Sequence, residues 1–491
     1  MSTPLSTMLR ALNLSANLDT NPHVTAITAD SRQAGPGVVF AALPGARVDG
    51  RTFIAAAVRA GAAAILAPTG TPWPQDVPAC PLITCPDPRH VLALWATLLA
   101  GPQPAHLVAV TGTNGKTSTT DFIRQIWTLQ GHRAAGIGTL GLTGAEGTGV
   151  TFPPLTTPDP VALANGLAAL ERAGVHYAAL EASSHGLEQG RLDGLHLHAA
   201  GFTNLTRDHL DYHGTMEAYR AAKLRLFDTL LPQGAIAAAN ADMDTATLDA
   251  LRAIARTRAQ PLRLTGANGT TVRLLACHAV PAGQELSISC NNEPAKTVLL
   301  PLPGRFQADN VLLALALAVR EEAALYDALD LLPALTGVRG RMERAVVLPN
   351  GASAYVDYAH TPDALARLLS SLRPHARGRL VVVFGAGGDR DRGKRPLMAQ
   401  AAARGADIAI ITDDNPRSED PARIRAEVRA GAPDALEIGD RRQAITEALS
   451  MLGSEDVLVV AGKGHEQGQI IGTTVLPFDD AAVLRAVAGQ P

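Results

Sequence analysis

The run Thr111-Gly112-Thr113-Asn114-Gly115-Lys116-Thr117 limits what this chain can fold into more than any other feature. It follows the apolar stretch His106–Val110 and opens a segment patterned as a helix, so it reads as strand, glycine loop, helix. Glycines let backbone N–H groups close around phosphate oxygens, and the start of the helix adds positive potential. In that reading Gly112, Thr113, Asn114, Gly115 and Ser118 line the phosphates, Lys116 reaches the terminal ones, and the Thr117 hydroxyl ligates magnesium. The spacing is shorter than G-x-x-x-x-G-K-[ST], because position 110 is Val. An ordinary glycine turn with an exposed lysine would explain the composition but not the strand–loop–helix context. A phosphate loop implies a nucleotide; it does not separate a switch, a kinase and a ligase.

Around this loop the chain divides into three blocks of different texture. Residues 1–103 carry short strands (Ala26–Ala29, Val38–Leu43, Ala64–Ala67), an Ala-rich helix at Thr52–Ala60, and a Pro-rich stretch, Pro68–Pro88, that reads as loop. Gly101-Pro102-Gln103-Pro104 reads as a linker. Residues 104–343 alternate strands (His106–Val110, Ala178–Glu181, Ala200–Asn204, Ala235–Asn240) with helices, the pattern of a parallel α/β sheet. A β-rich insertion at Pro261–Leu302 precedes a helix expected over Gln307–Glu322. Residues 344–491 repeat a doubly wound pattern, with strands at Ala354–Asp357, Leu380–Phe384, Ile408–Thr412 and Val457–Ala461. Three domains also suit 491 residues of which 46% are hydrophobic.

Two further runs carry chemistry. Glu181-Ala182-Ser183-Ser184-His185-Gly186 begins at a strand's carboxyl end, where ligands bind in parallel sheets, so Glu181 is placed to hold magnesium. As a bare feature, such an acid is as readily a helix cap or an ion-pair partner. Phe202–Gly214 follows the next strand and packs Asp208, His209, Asp211 and His213 into one loop, a density that points to chemistry or metal binding. Ser183 and Ser184 are not read as nucleophiles, since a neighbouring His185 does not make a triad.

Charge and cysteine content exclude other classes. The net charge of −3, from 43 basic and 46 acidic side chains, leaves no footprint for nucleic acid. Cys80, Cys85, Cys277 and Cys290 form no CxxC pair, so neither a disulfide framework nor a zinc site is expected. Met1–Pro22 lacks a basic start and apolar run, and stretches such as Val311–Val319 are too short to span a bilayer.

Taken together, Gly112–Thr117, Glu181–Gly186 and Thr203–Gly214 resemble the Mur ligases, enzymes that extend the peptidoglycan stem peptide. So do Tyr219-Arg220-Ala221-Ala222-Lys223, Asn240-Ala241-Asp242, Gly340-Arg341-Met342-Glu343 and Asp357-Tyr358-Ala359-His360-Thr361-Pro362, and the resemblance covers nearly the whole chain. Gly388-Asp389-Arg390, Asp414-Asn415-Pro416-Arg417 and Gly462-Lys463-Gly464-His465-Glu466 resemble the branch that adds diaminopimelate. The resemblance implies an α/β protein with a small N-terminal substrate domain, a central P-loop ATPase domain with a parallel sheet, and a C-terminal Rossmann-like domain.

It also implies roles for particular residues. Lys116, Glu181, His209 and Lys223 would be catalytic, with Lys223 carbamylated and Thr117, Glu181, His209 and Lys223 around Mg2+. Asn310, Arg341 and Asp357 would join the phosphate loop in holding ATP; the family has Asn where this chain has Gln307, which is left out of the set. Ala29, Ser31, Thr156, Thr157, Ser183, Gln189 and Arg191 would hold UDP-N-acetylmuramoyl-L-Ala-D-Glu, with Ala46, Arg47 and Val48 near its uridine or diphosphate. Arg390, Asp414, Asn415, Pro416, Arg417, Gly462 and Glu466 would hold meso-diaminopimelate. Arg417 suits its distal carboxylate, and Asp414 or Glu466 its distal ammonium. No nucleic acid or membrane partner is implied, and a monomer in a bacterial cytoplasm is expected. A lysine-adding Mur ligase or a folylpolyglutamate synthase would account less well for Asp414–Arg417. A nucleotide switch would have no use for Arg390, Arg417 and Glu466.

Overall fold

Fully apolar strands flanked by capped helices decide the architecture. In the computed structural model, which describes residues 2–14, 20–45, 48–280, 282–291 and 293–490, the interiors of the main strands are inaccessible to solvent. Leu107–Val110 and Val381–Phe384 are examples at 0% exposure, as expected where helices cover both faces of a parallel sheet. Helix starts recur as a capping residue followed by proline. Asp87-Pro88, Asp159-Pro160, Thr361-Pro362 and Asp420-Pro421 each place a side-chain oxygen on a free N–H and a proline where no N–H is needed.

The chain forms two compact units, one of Met1–Arg273, Cys290–Asn292 and Leu312–Tyr326, the other of Leu274–Ser289, Glu293–Val311 and Asp327–Pro491. In the first, strands β1 (Ala26–Thr28), β2 (Val38–Ala41), β3 (Ala64–Pro68) and β4 (Leu82–Cys85) make a parallel sheet in the order β1-β2-β3-β4. Strand β4 corrects the reading of Pro68–Pro88 as loop. Prolines flank Leu-Ile-Thr-Cys without interrupting it, and the carbonyl of Pro81 accepts from the amide of Ile65.

The larger sheet of this unit contains β5 (His106–Thr111), β6 (Ala134–Gly138), β7 (Gly141–Thr143), β8 (Tyr177–Glu181), β9 (Ala199–Phe202), β10 (Ile236–Asn240) and β11 (Leu262–Gly266). Their order is β11-β10-β9-β5-β8-β6-β7, parallel except for β7. Strand β5 lies between β8 and β9, with Glu181 paired to Val110 and Phe202 to Thr111. Three carboxyl ends therefore meet where strand order reverses, the place such sheets bind ligands.

The second unit is built on β12 (Glu343–Val347), β13 (Ser353–Asp357), β14 (Leu380–Phe384), β15 (Ile408–Ile411), β16 (Leu436–Glu437) and β17 (Val457–Ala461). The order β12-β13-β17-β14-β15-β16 is parallel apart from β12, the Rossmann-like pattern expected. A hairpin of Gly468–Ile471 and Thr474–Pro477 follows β17. The helix expected over Gln307–Glu322 runs instead from Arg305 to Ala318. Its end is set by a buried side chain: Arg263 donates to the carbonyls of Ala316, Val319 and Arg320.

Candidate active site

In the first unit the phosphate loop is held by the loop that follows β9. Gly112 has φ of 143°, and a Cβ there would collide with the Thr203 hydroxyl. The Thr203 hydroxyl donates to the Asn114 carbonyl at 2.6 Å, the Asn114 amide to Asn204 Oδ1 at 3.0 Å, and the Thr113 amide to the Asn204 carbonyl at 2.8 Å. Lys116 Nζ donates to the carbonyls of Gly112 and Thr113, both at 2.9 Å. Lys223, only 1% exposed, donates to the same Gly112 oxygen at 2.7 Å and lies 4.6 Å from the ring centre of Tyr219. Burial, reinforced by the Lys116 charge, holds the Lys223 ammonium well below the ordinary lysine range. Tyr219 is itself tied to the loop through Thr113 Oγ1 at 3.1 Å, and burial pushes its phenol up to about 12.

Glu181 stands at the end of β8, 2% exposed. The Thr139 amide donates to Oε1 at 2.7 Å and the Thr139 hydroxyl to Oε2 at 3.3 Å. Thr139 Oγ1 lies 3.0 Å from Thr156 Oγ1, while the Thr157 hydroxyl donates to the Glu181 carbonyl at 2.8 Å and accepts from the Ser183 amide at 2.9 Å. Arg191 donates to the Thr157 carbonyl at 2.6 Å and to Gln189 Oε1 at 2.8 Å; burial lowers its pKa. Five residues expected at the nucleotide-dipeptide (Thr156, Thr157, Ser183, Gln189 and Arg191) thus form one bonded group around Glu181. Ala29 and Ser31 follow β1 of the smaller sheet, Ser31 opening a short 3-10 turn, next to an Asp30–Arg32 pair. Ala46 and Arg47 lie outside the described residues, and Val48 is exposed.

His209 adopts a left-handed backbone with φ of 51°. Its ring meets those of His185 and Tyr219 edge-on, with centres 5.0 and 6.1 Å away, and burial lowers its pKa. Thr117 lines a small cavity with Gly138, whose Cα leaves no room for a Cβ against Glu181. Among the described residues no three His, Cys, Asp or Glu side chains gather as a metal cluster. Glu181 and Thr117 are oxygen donors of the kind magnesium takes. Lys223 joins them only as a carbamate, because an ammonium repels a cation. Ser184 bonds to His213 Nε2 at 3.0 Å and not to His185; at 1% exposure it is no open nucleophile.

In the second unit, Asp357 ends β13 and accepts the amides of Met342 (2.8 Å) and Ala359 (2.8 Å), and burial raises its pKa. Arg341 lies over the Tyr358 ring at 4.8 Å. Gln307 proves to be the link among these residues. Its Nε2 donates to the Arg341 carbonyl at 3.2 Å, and its Oε1 accepts from Asn310 at 3.3 Å.

The expected diaminopimelate residues also converge here. Asn415 Nδ2 donates to Glu466 at 2.9 Å, and its Oδ1 accepts from Lys463 Nζ at 2.9 Å and the Ile470 amide at 3.0 Å. Gly462 has φ of 116°, a backbone that favours glycine, and a Cβ there would stand 2.7 Å from Asp414 Oδ2. Arg417, with φ of 52°, donates to the Gly388 carbonyl at 2.9 Å, and Arg390 to the Asp389 carbonyl at 3.1 Å. Pro416 belongs to the same turn: its carbonyl lies where a Gly388 side chain would be. Sequence reasoning missed the supports beneath, above all Lys463, Arg395 and the Arg441–Asp480 pair. Only partners distant in the chain mark them.

Residues 23–95 match the family model described as Mur ligase family, catalytic domain; residues 110–318 match Mur ligase middle domain; residues 340–464 match Mur ligase, glutamate ligase domain. The chain is 53% identical over 475 residues to a UDP-N-acetylmuramoyl-L-alanyl-D-glutamate–2,6-diaminopimelate ligase of Caulobacter vibrioides, covering 96% of both chains. It is 50% identical to the protein of that name from Agrobacterium fabrum, covering 94% of this chain and 93% of that one. A solved structure of that name superposes with a TM-score of 0.74 at 35% identity, over 100% of this chain and 99% of the other. A folylpolyglutamate synthase of Mycobacterium tuberculosis, at 20% identity and a TM-score of 0.60 over 81% of this chain and 95% of its own, shares the fold.

Proposed function

Because this chain belongs to the Mur ligase family, we propose that it joins meso-2,6-diaminopimelate to the D-Glu of UDP-N-acetylmuramoyl-L-Ala-D-Glu at the expense of ATP. The observation that carries this reading is the presence, in one chain, of a braced phosphate loop and the Asp414–Asn415–Arg417–Glu466 cluster. The first serves phosphoryl transfer. The second offers both charges that the far end of diaminopimelate requires.

The D-Glu γ-carboxylate attacks the γ-phosphorus of ATP, giving an acyl phosphate and ADP. The amine of diaminopimelate then attacks the acyl carbon; the C–N bond forms, the C–O bond to phosphate breaks, and the amine's proton passes to solvent. Positioning and charge neutralisation do most of this work. Lys116 and Arg341 neutralise phosphate charge, Asn310 and Asp357 hold the nucleotide, and Gln189, Arg191, Thr156, Thr157 and Ser183 hold the muramoyl-dipeptide. Ala29 and Ser31 serve its nucleotide end. Arg417 and Arg390 take the distal carboxylate, and Asp414 and Glu466 the ammonium, with Asn415, Pro416 and Gly462 shaping the turn.

Thr117, Glu181, His209 and Lys223, once carbamylated, would hold Mg2+, which would lower the cost of the developing charge. The depressed basicity of Lys223 supports the modification, since a neutral amine adds CO2 and releases a proton. The proposed setting is a monomer acting on small molecules in a bacterial cytoplasm. Among the described residues no helix is long and apolar enough to cross a membrane.

The test is ADP and phosphate release with UDP-N-acetylmuramoyl-L-Ala-D-Glu, ATP, magnesium and bicarbonate, with meso-diaminopimelate or L-lysine added in parallel. Release with diaminopimelate, and a tripeptide product by mass, is the expected result. Release only with lysine would overturn the reading of Arg417, and release with neither would overturn the ligase reading.

A further inference from the structure

Lys463 is completely buried, yet it lies among the polar residues assigned to the incoming amino acid. Its ammonium donates to Asn415 Oδ1 at 2.9 Å and stands 3.9 Å from Asp414 Oδ1 and 3.7 Å from Glu466 Oε2. Side-chain exposure rises outward in order: 0% for Lys463, 9% for Asp414, 33% for Glu466. The cation is therefore innermost, with both carboxylates on its outer side.

This order has two consequences. Asp414 and Glu466 carry like charges on two adjoining turns, and an ammonium behind them removes the repulsion that would drive them apart. A carboxylate accepts several hydrogen bonds, so each keeps outward lone pairs for a second cation. The Lys463 bond also selects the face of Asn415 that holds oxygen, which turns its amide nitrogen toward Glu466 at 2.9 Å.

The backbone beneath is equally fixed. Arg441 and Asp480, both buried, pair at 2.7 Å, and Arg441 also donates to the carbonyls of Ala461 (3.1 Å) and Asp413 (3.4 Å). Those two residues directly precede Gly462-Lys463 and Asp414-Asn415. The pair thus ties together the strand ends that carry the acceptors.

We infer that Lys463 is a positioning residue that holds Asp414, Asn415 and Glu466 as a receptor for the distal ammonium of the incoming amino acid. The inference rests on the diaminopimelate reading above. Its test compares meso-diaminopimelate with 2-aminopimelate, which lacks only the distal amine, as substrate or competing inhibitor of the full-length protein. In Lys463→Met the preference for diaminopimelate should fall about tenfold, the scale of one charge-assisted bond. KM for ATP and for the nucleotide-dipeptide should stay within about twofold. Lys463→Gln, which keeps a neutral donor, should lose the preference too, and it supplies the measurement if the Met variant does not fold. An unchanged preference in a folded variant, or equal rises in all three KM values, would overturn the inference. Wild-type protein that uses neither acid would overturn the diaminopimelate reading itself.

Discussion

Lys223 donates to the carbonyl oxygen of Gly112 at 2.7 Å, and Lys116 bonds the same oxygen at 2.9 Å. Two lysine side chains thus share one acceptor on the phosphate loop, one of them buried. Burying an ionisable amine beside a like charge costs stability whether it is kept charged or forced neutral, unless something gains by it. Lys223→Met should therefore leave the fold as stable or stabilise it by about 1–2 kcal/mol. Turnover should drop at least about a hundredfold. Thermal unfolding beside steady-state turnover decides this; a variant less stable by more than about 1 kcal/mol would make Lys223 structural instead.

Gly340 holds the Arg341 turn against the Gly462–Glu466 turn. A side chain there would enter the backbone of His465, and φ is 65°. Gly340→Ala should cost about 2–3 kcal/mol and most of the activity. Gly337→Ala is the internal control: its Cβ would stand 3.7 Å from Glu343 Cα, an ordinary contact, at a backbone angle any residue adopts. Equal behaviour of the two variants in urea denaturation would refute the argument.

Arg395 is 0% exposed and bonds Glu419 at 2.8 Å and Glu427 at 2.6 Å, beneath the turns that carry Arg390 and Arg417. Arg395→Met leaves Glu419 without its cation and Glu427 with only exposed partners, and should cost about 3 kcal/mol. Arg392 also pairs with Glu427, but at 50% exposure, and Arg392→Met should move the midpoint far less than Arg395→Met. Urea midpoints at unchanged slope would show the difference; similar losses would mean that burial does not set the value of these pairs.

Burial, with Arg341 and Arg339 nearby, lowers the His465 pKa from 6.5 to about 4. As pH falls below 6.5 the unfolded chain takes up a proton that the folded protein refuses, so stability is lost between about pH 6.5 and 4 and levels off below. His465→Gln should remove that part of the slope. Unfolding free energies of both proteins at pH 7, 5.5 and 4.5 test it, and parallel curves would show that His465 titrates normally.

Much of the candidate site was readable as spacing. The Gly112–Lys116 loop, Glu181 at a strand end, and the Asp414–Arg417 and Gly462–Glu466 turns are contiguous runs whose backbone geometry their own residues impose. The hydrogen bonds of Gln307, which stands outside the expected set, were hidden for the opposite reason. A longer arm is a drawback only if its partners are fixed, and no spacing shows that the Arg341 carbonyl lies within its reach. Strand β4 was hidden by its flanking prolines, whose effect depends on whether a neighbouring strand needs their N–H groups.

By itself the sequence determined the α/β class, the phosphate loop and the segments that carry charge, because these follow from periodicity and from contacts within a few residues. Tertiary structure alone decided which buried groups hold those segments in place. The Arg441–Asp480 pair spans 39 positions, Lys463–Asn415 spans 48, and Lys223–Gly112 spans 111. At such separations a lysine on a helix reads the same whether it is solvated or sealed. Only packing sets its surroundings, and those surroundings give the charge its effect.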